Sequence, residues 1–126
     1  MSPLFSTMIT DYGHIHNQIM KLDPSIRLVT ICTNDGQIMY SDHREGVKNL
    51  LTQDESKRSL ELAVNAWKVR GELSHKIGKG KYVLAEYERI KRITMPLNDN
   101  KHLVYITTEI PSEHAKIIEG VKQLKL

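Results

Sequence analysis

The chain is poor in the residues that announce several common functions. Its single cysteine, Cys32, excludes an internal disulfide. Cys32 sits in a strand-like run with nothing nearby to lower its pKa, so it reads as a small buried hydrophobe in a reducing compartment, the cytosol. No apolar run approaches the roughly 18 residues that a membrane-spanning helix needs. The start, MSPLFSTMITDYGHIHNQIMKLD, lacks a positive region and a small-residue cleavage site, so no signal peptide is expected. Repeats and low-complexity tracts are absent. A strong excess of one charge is missing too. The net charge of +3 and pI near 9.0 permit an acidic partner but fall short of the footprint of a dedicated nucleic-acid binder.

Chemistry-bearing constellations are equally scarce. His14 and His16 are two apart on a predicted helix and point to different faces, and His43, His75, His102 and His114 are scattered without ligand spacing. No Ser, Cys or carboxylate stands in a recognisable catalytic arrangement, so neither an enzyme nor a cofactor is expected. Gly78-Lys79-Gly80-Lys81 resembles a phosphate loop only superficially. A P-loop needs a preceding strand, a Ser or Thr after the lysine and a following helix, whereas here Tyr82 and a strand follow.

What is present specifies architecture. With 40% hydrophobic and 26% charged residues in a chain of 126, the composition is that of one globular domain, 1–126. Phe5, Met8, Tyr12, Ile15, Ile19 and Leu22 form one stripe of an amphipathic helix over 4–22, ended by Asp23-Pro24. Residues 26–33 predict a strand apolar on both faces, with Ile26, Leu28 and Cys32 on one and Val29 and Ile31 on the other. Asn34-Asp35-Gly36 signals a hairpin into a second strand, 37–41. A polar connector, 42–51, leads to a capping box, Thr52 with Glu55, and a helix to about Arg70 with Gly71 as its stop. The apolar side of that helix is Leu60, Ala63, Val64, Trp67 and Val69. After a loop, 71–80, three strands follow at 82–88, 90–97 and 103–108, with Asn98-Asp99-Asn100 as the second turn. Ile93, Met95 and Leu97 share a face; Leu103 and Tyr105 oppose Val104 and Ile106. Ser112 is placed to cap a last helix that carries Ala115, Ile118 and Val121.

The first and last strands are apolar on both faces, so both belong in the middle of the sheet. The expectation is an α+β fold, topology αββαβββα, with a five-stranded antiparallel sheet ordered 2-1-5-4-3. The first and third helices would lie on one face and the second on the other. This order, with the Asp35-Gly36 hairpin and the helix–glycine loop–meander block ending in LVYITTE, resembles the Roadblock/dynein light chain superfamily of profilin-like folds. The chain also resembles a small group of archaeal proteins that share the REGV and GKGKYVLAEYE stretches. The first resemblance implies a non-enzymatic regulatory or scaffolding module that dimerises and binds a partner protein, often a small GTPase or a motor or signalling complex.

Three functional readings follow. In the 2-1-5-4-3 order the 82–88 strand is an edge, and joining it to a second copy would close it. The candidate dimer interface is Leu60, Val64, Trp67, Tyr82, Leu84 and Tyr87. Alternatively, a small-molecule sensor would need an enclosed cavity lined by residues such as Tyr40, Met95 and Tyr105. A third reading places an acidic protein, lipid or RNA surface on Lys76, Lys79, Lys81, Arg89, Lys91 and Arg92, diluted by Glu86 and Glu88.

Overall fold

The structure is a computed structural model that describes residues 10–126, so Phe5 and Met8 of the expected first helix lie outside the described residues. Helix α1 (Tyr12–Met20) begins where the Asp11 carboxylate accepts the His14 amide at 3.0 Å. It stops before Asp23-Pro24. There follow β1 (Ile26–Thr33), β2 (Ile38–His43), α2 (Gln53–Gly71), a short α3 (Ser74–Ile77), β3 (Val83–Glu86), β4 (Ile90–Pro96), β5 (His102–Glu109) and α4 (His114–Lys122). The strands form one antiparallel sheet in the order β2-β1-β5-β4-β3. The expected order is the observed one, because β1 and β5 are buried on both faces and so take the centre.

The two faces are covered unequally. Thirteen buried residues form the core on the α1/α4 side, among them Ile15, Ile19, Val29, Ile31, Ile93, Met95, Val104, Ile106 and Ile117. Among the described residues only five buried ones, Cys32, Leu60, Val64, Leu103 and Tyr105, pack beneath α2. One residue changes side from its expected place. Ile26 joins the α1/α4 core with Val29, because the register shifts between Ile26 and Leu28 and the extra residue reverses the alternation.

Of four local expectations, the first holds and the others are revised in part or whole. The capping box forms, with Thr52 Oγ1 accepting the Glu55 amide at 3.2 Å and Glu55 Oε1 accepting the Thr52 amide at 2.9 Å. At the other end, α2 closes at Gly71 as expected but without a left-handed glycine cap: Glu72 takes the cap position, a turn leads into α3, and the positive φ, +88°, comes at Gly78. Ser112 does not cap α4; its hydroxyl is 3.1 Å from Thr108 Oγ1, and Glu113 takes the cap position with no side-chain bond. The edge strand β3 is four residues long, shorter than 82–88, because the Tyr87 amide already closes the turn onto Ile90 O at 2.8 Å.

Candidate functional site: the α2 face of the sheet

The thin cover under α2 leaves polar side chains on that face. On β4 and β5, Arg92, Thr94, Tyr105 and Thr107 look towards α2, since directly paired residues share a face. Arg92 Nη1 donates to Ser59 Oγ at 2.8 Å, and that hydroxyl lies 2.8 Å from Tyr105 OH. The guanidinium also sits 5.3 Å from the Tyr87 ring centroid and 5.5 Å from that of Tyr105. Burial pushes the Tyr105 phenol above its ordinary value, so its proton stays in the network. Arg92 forms no ion pair among the described residues, and its buried Nε has no acceptor.

Two concavities flank α2. The larger, about 620 Å³, lies between the first half of α2, the connector at Val47, Leu50 and Leu51, and the sheet at Leu28, Thr30, Tyr105 and Arg92. The smaller, about 130 Å³, lies between Leu62, Ala66 and Trp67 on α2 and Val83, Ala85 and Tyr87. Arg92 and Tyr105 line both. The connector is held by Arg44, whose Nε donates to Ile26 O at 2.7 Å and whose Nη2 donates to Met20 O and Asp23 O at 2.8 and 2.9 Å.

The residues singled out for an interface are dispersed. Leu60 and Val64 are buried on their own sheet. Trp67 is half-buried, and its Cη2 would stand only 3.3 Å from a Cβ at Gly80, so a glycine there lets the GKGK loop lie against the ring. Leu84 turns to the opposite face and packs on the α1/α4 core, while Tyr82 and Tyr87 are exposed at the two ends of β3. The outward side of α2 instead presents Leu62 and Val69, 71% and 52% exposed, with Ala66 between them. Their spacing of seven was readable in the sequence as a second stripe beside Leu60-Val64-Trp67.

The basic residues do not share one surface either. Lys76, Lys79, Lys81 and Arg89 are exposed. Lys91 is only 7% exposed, donating to Ser112 O and His114 Nδ1, both at 3.3 Å, on the face opposite Arg92. The trio suggested for a ligand cavity is also divided. Tyr40 lies against His16 at a tilt and Met95 is buried in the α1/α4 core, whereas Tyr105 lies under α2. Strand alternation places them on opposite sides of the sheet.

Two further features complete the titratable inventory. Cys32 is fully buried, and burial pushes its thiol up to about 11, far from a nucleophile's range. Tyr12 OH, His102 and Asp99 form a chain, with 2.9 Å from Tyr12 OH to His102 Nε2 and 2.6 Å from His102 Nδ1 to Asp99 Oδ2. Among the described residues there is no group of three or more His, Cys, Asp or Glu placed to hold a metal, and no helix long and apolar enough to cross a membrane.

No family model and no curated protein matches the sequence. Solved structures do match in shape. A Roadblock/LC7 domain from Streptomyces avermitilis aligns with a TM-score of 0.68 at 10% identity, over 89% of each chain. MglB from Myxococcus xanthus aligns with a TM-score of 0.67 at 12% identity, over 90% of each chain. A structure of MglB in a tetrameric arrangement aligns with a TM-score of 0.71 at 9% identity, over 88% of this chain and 79% of that one. None of these supports the archaeal resemblance. At such low identity the likeness concerns the path of the chain, and the sheet order agrees with it: this protein has the Roadblock/LC7 fold.

Proposed function

We propose that the chain is a non-enzymatic regulatory or scaffolding module of the cytoplasm, a single Roadblock-like domain over 1–126 that forms a homodimer and binds a small GTPase or another signalling protein. The observation that carries this reading is the open β3 edge lying beside the outward apolar row of α2, Leu62, Ala66 and Val69. Exposed sheet edges and contiguous apolar rows are both sites of association. Two copies related by a two-fold axis would pair β3 with β3 and lay one α2 row against the other. In that arrangement Trp67, Tyr82 and Tyr87 flank the seam, Leu60 and Val64 hold α2 from beneath, and Leu84 anchors β3 from its other face. The gliding protein MglB, similar in fold, is known in a tetrameric arrangement, which supports assembly as a use of this fold.

Sedimentation equilibrium at micromolar concentration tests the dimer. The expected mass is twice 14.5 kDa. Leu62→Glu, which places a charge at the seam without touching the buried core, is expected to return the monomer with unchanged circular dichroism. A native chain that sediments as a monomer refutes the dimer. The partner is tested by affinity capture with the native chain from its own cells; recovery of neither a GTPase nor a signalling protein would refute that part.

A further inference from the structure

We propose that the groove between the first half of α2, the connector and the sheet binds a small organic anion with an apolar body, its acidic head on Arg92. The volume of about 620 Å³ falls within the roughly 300–1,000 Å³ of small-molecule sites. Leu28, Ile38, Val47, Leu50, Leu51 and Leu60 give it apolar walls among polar side chains, and two of them, Ile38 and Leu50, remain 49% and 55% exposed. A ligand's apolar part would cover them, gaining roughly in proportion to the area removed from water.

The charge of the ligand follows from the cations. Arg27 and Lys57 also line the groove, but Glu109 Oε1 neutralises Arg27 at 2.6 Å and Lys57 is exposed to solvent on α2, where it adds positive charge at the rim. Arg92 has no such partner among the described residues. Asp42 and Glu61 line the groove too, and neither lies within 4.0 Å of the guanidinium. Its position is set by Ser59, Tyr87 and Tyr105 before any ligand arrives, so little ordering remains to oppose binding. A carboxylate accepting from a preorganised guanidinium makes a charge-assisted hydrogen bond. Thr30, Thr107 and the Tyr105 hydroxyl offer further polar contacts on the same floor.

Most of the groove lies towards β1 and β2, away from Leu62, Val69 and β3, while Arg92 and Tyr105 also line the smaller concavity and Tyr87 reaches the guanidinium from the β3 end. A matched pair of probes isolates the head group: decanoate and 1-decanol share an alkyl body and differ in charge. Amide chemical shifts of the full chain are followed during titration with each. Decanoate is expected to bind saturably and about tenfold or more tighter than decanol, as a charge-assisted bond requires. The shifts should centre on Leu28, Thr30, Leu50 and Thr107. Arg92→Gln should remove the preference for decanoate. Leu50→Ser, on the exposed connector, should weaken both probes. If decanoate gives no saturable shifts, binds no tighter than decanol, or shifts the β3 edge and not the groove, the proposal is wrong. The comparison of probes on the native chain decides this even if Arg92→Gln fails to fold.

Discussion

Replacing Arg44 by methionine would show whether one side chain pins the connector that walls the groove. The guanidinium donates to three carbonyls, those of Met20, Asp23 and Ile26, at 2.7 to 2.9 Å. The Arg44 amide meanwhile donates to Arg27 O at 2.8 Å. Together they tie the end of α1, the start of β1 and the chain leaving β2. Methionine keeps most of the apolar stem and removes every side-chain donor along with the charge. A hydrogen bond from a charged group contributes about 1.5–3 kcal/mol, against about 0.5–1.5 kcal/mol for a neutral pair. Met20 and Asp23 are half-buried, so water can take over part of the donation there; Ile26 is buried, and water reaches it poorly. The three bonds share one donor group and do not add, so we expect a loss of about 2–4 kcal/mol. Against a typical total of about 5–15 kcal/mol this is a large fraction. Urea denaturation followed by circular dichroism measures it, with an unchanged m-value if the folded and unfolded states keep their compactness. Arg44→Lys retains the charge on a single point that cannot span three acceptors, so it should lie between the two. A methionine variant within about 0.5 kcal/mol of the native chain, the range of an ordinary surface substitution, would refute this account.

Two further perturbations are as specific. Burial pushes the Asp99 carboxyl up, but the Lys101 amide, the His102 ring and the His102 amide together outweigh it and hold the pKa below the ordinary value. A lowered folded pKa contributes stability that is present above the unfolded value, about 3.9, and lost as pH falls through the folded one. Denaturation midpoints should therefore drop more steeply below about pH 4 in the native chain than in Asp99→Asn; parallel curves would contradict this. Gly80→Val should displace Trp67, since a Cβ there would lie 3.3 Å from Cη2 and 3.6 Å from Cζ2. Trp67 is the only tryptophan, so its emission reports the change directly as a red shift, with a loss of at most about 1 kcal/mol because Gly80 is exposed and the ring half-buried. Unchanged emission would mean that the loop is not held by the ring.

Much of the fold was legible because two-residue alternation survives in the strands. Leu103 and Tyr105 against Val104 and Ile106 is the pattern observed, and Ile93, Met95 and Leu97 share the α1/α4 core as read. Departures came where the backbone leaves the ideal period. The register shift after Ile26 moves that residue to the other face. Gly71 reads as a stop, yet the left-handed conformation is needed only where the chain must turn back towards the sheet, at Gly78. The candidate site was less legible. Arg92 and Lys91 look equivalent as neighbouring basic residues, but adjacent strand positions face opposite layers and end in different environments.

The sequence by itself determined the elements other than the short α3, the order of the strands in the sheet and the layers of the three longer helices, because those follow from local periodicity and from which strands are apolar on both faces. Tertiary structure alone decided that the α2 layer is thinly packed. It also decided that Arg92 stands between two tyrosines without a carboxylate, and that Arg44 reaches back across the fold to three carbonyls. Periodicity records which side of an element is apolar; it does not record how closely two layers approach, or which distant groups a long side chain meets. Those depend on the summed packing of the whole chain, and in this protein they shape the groove.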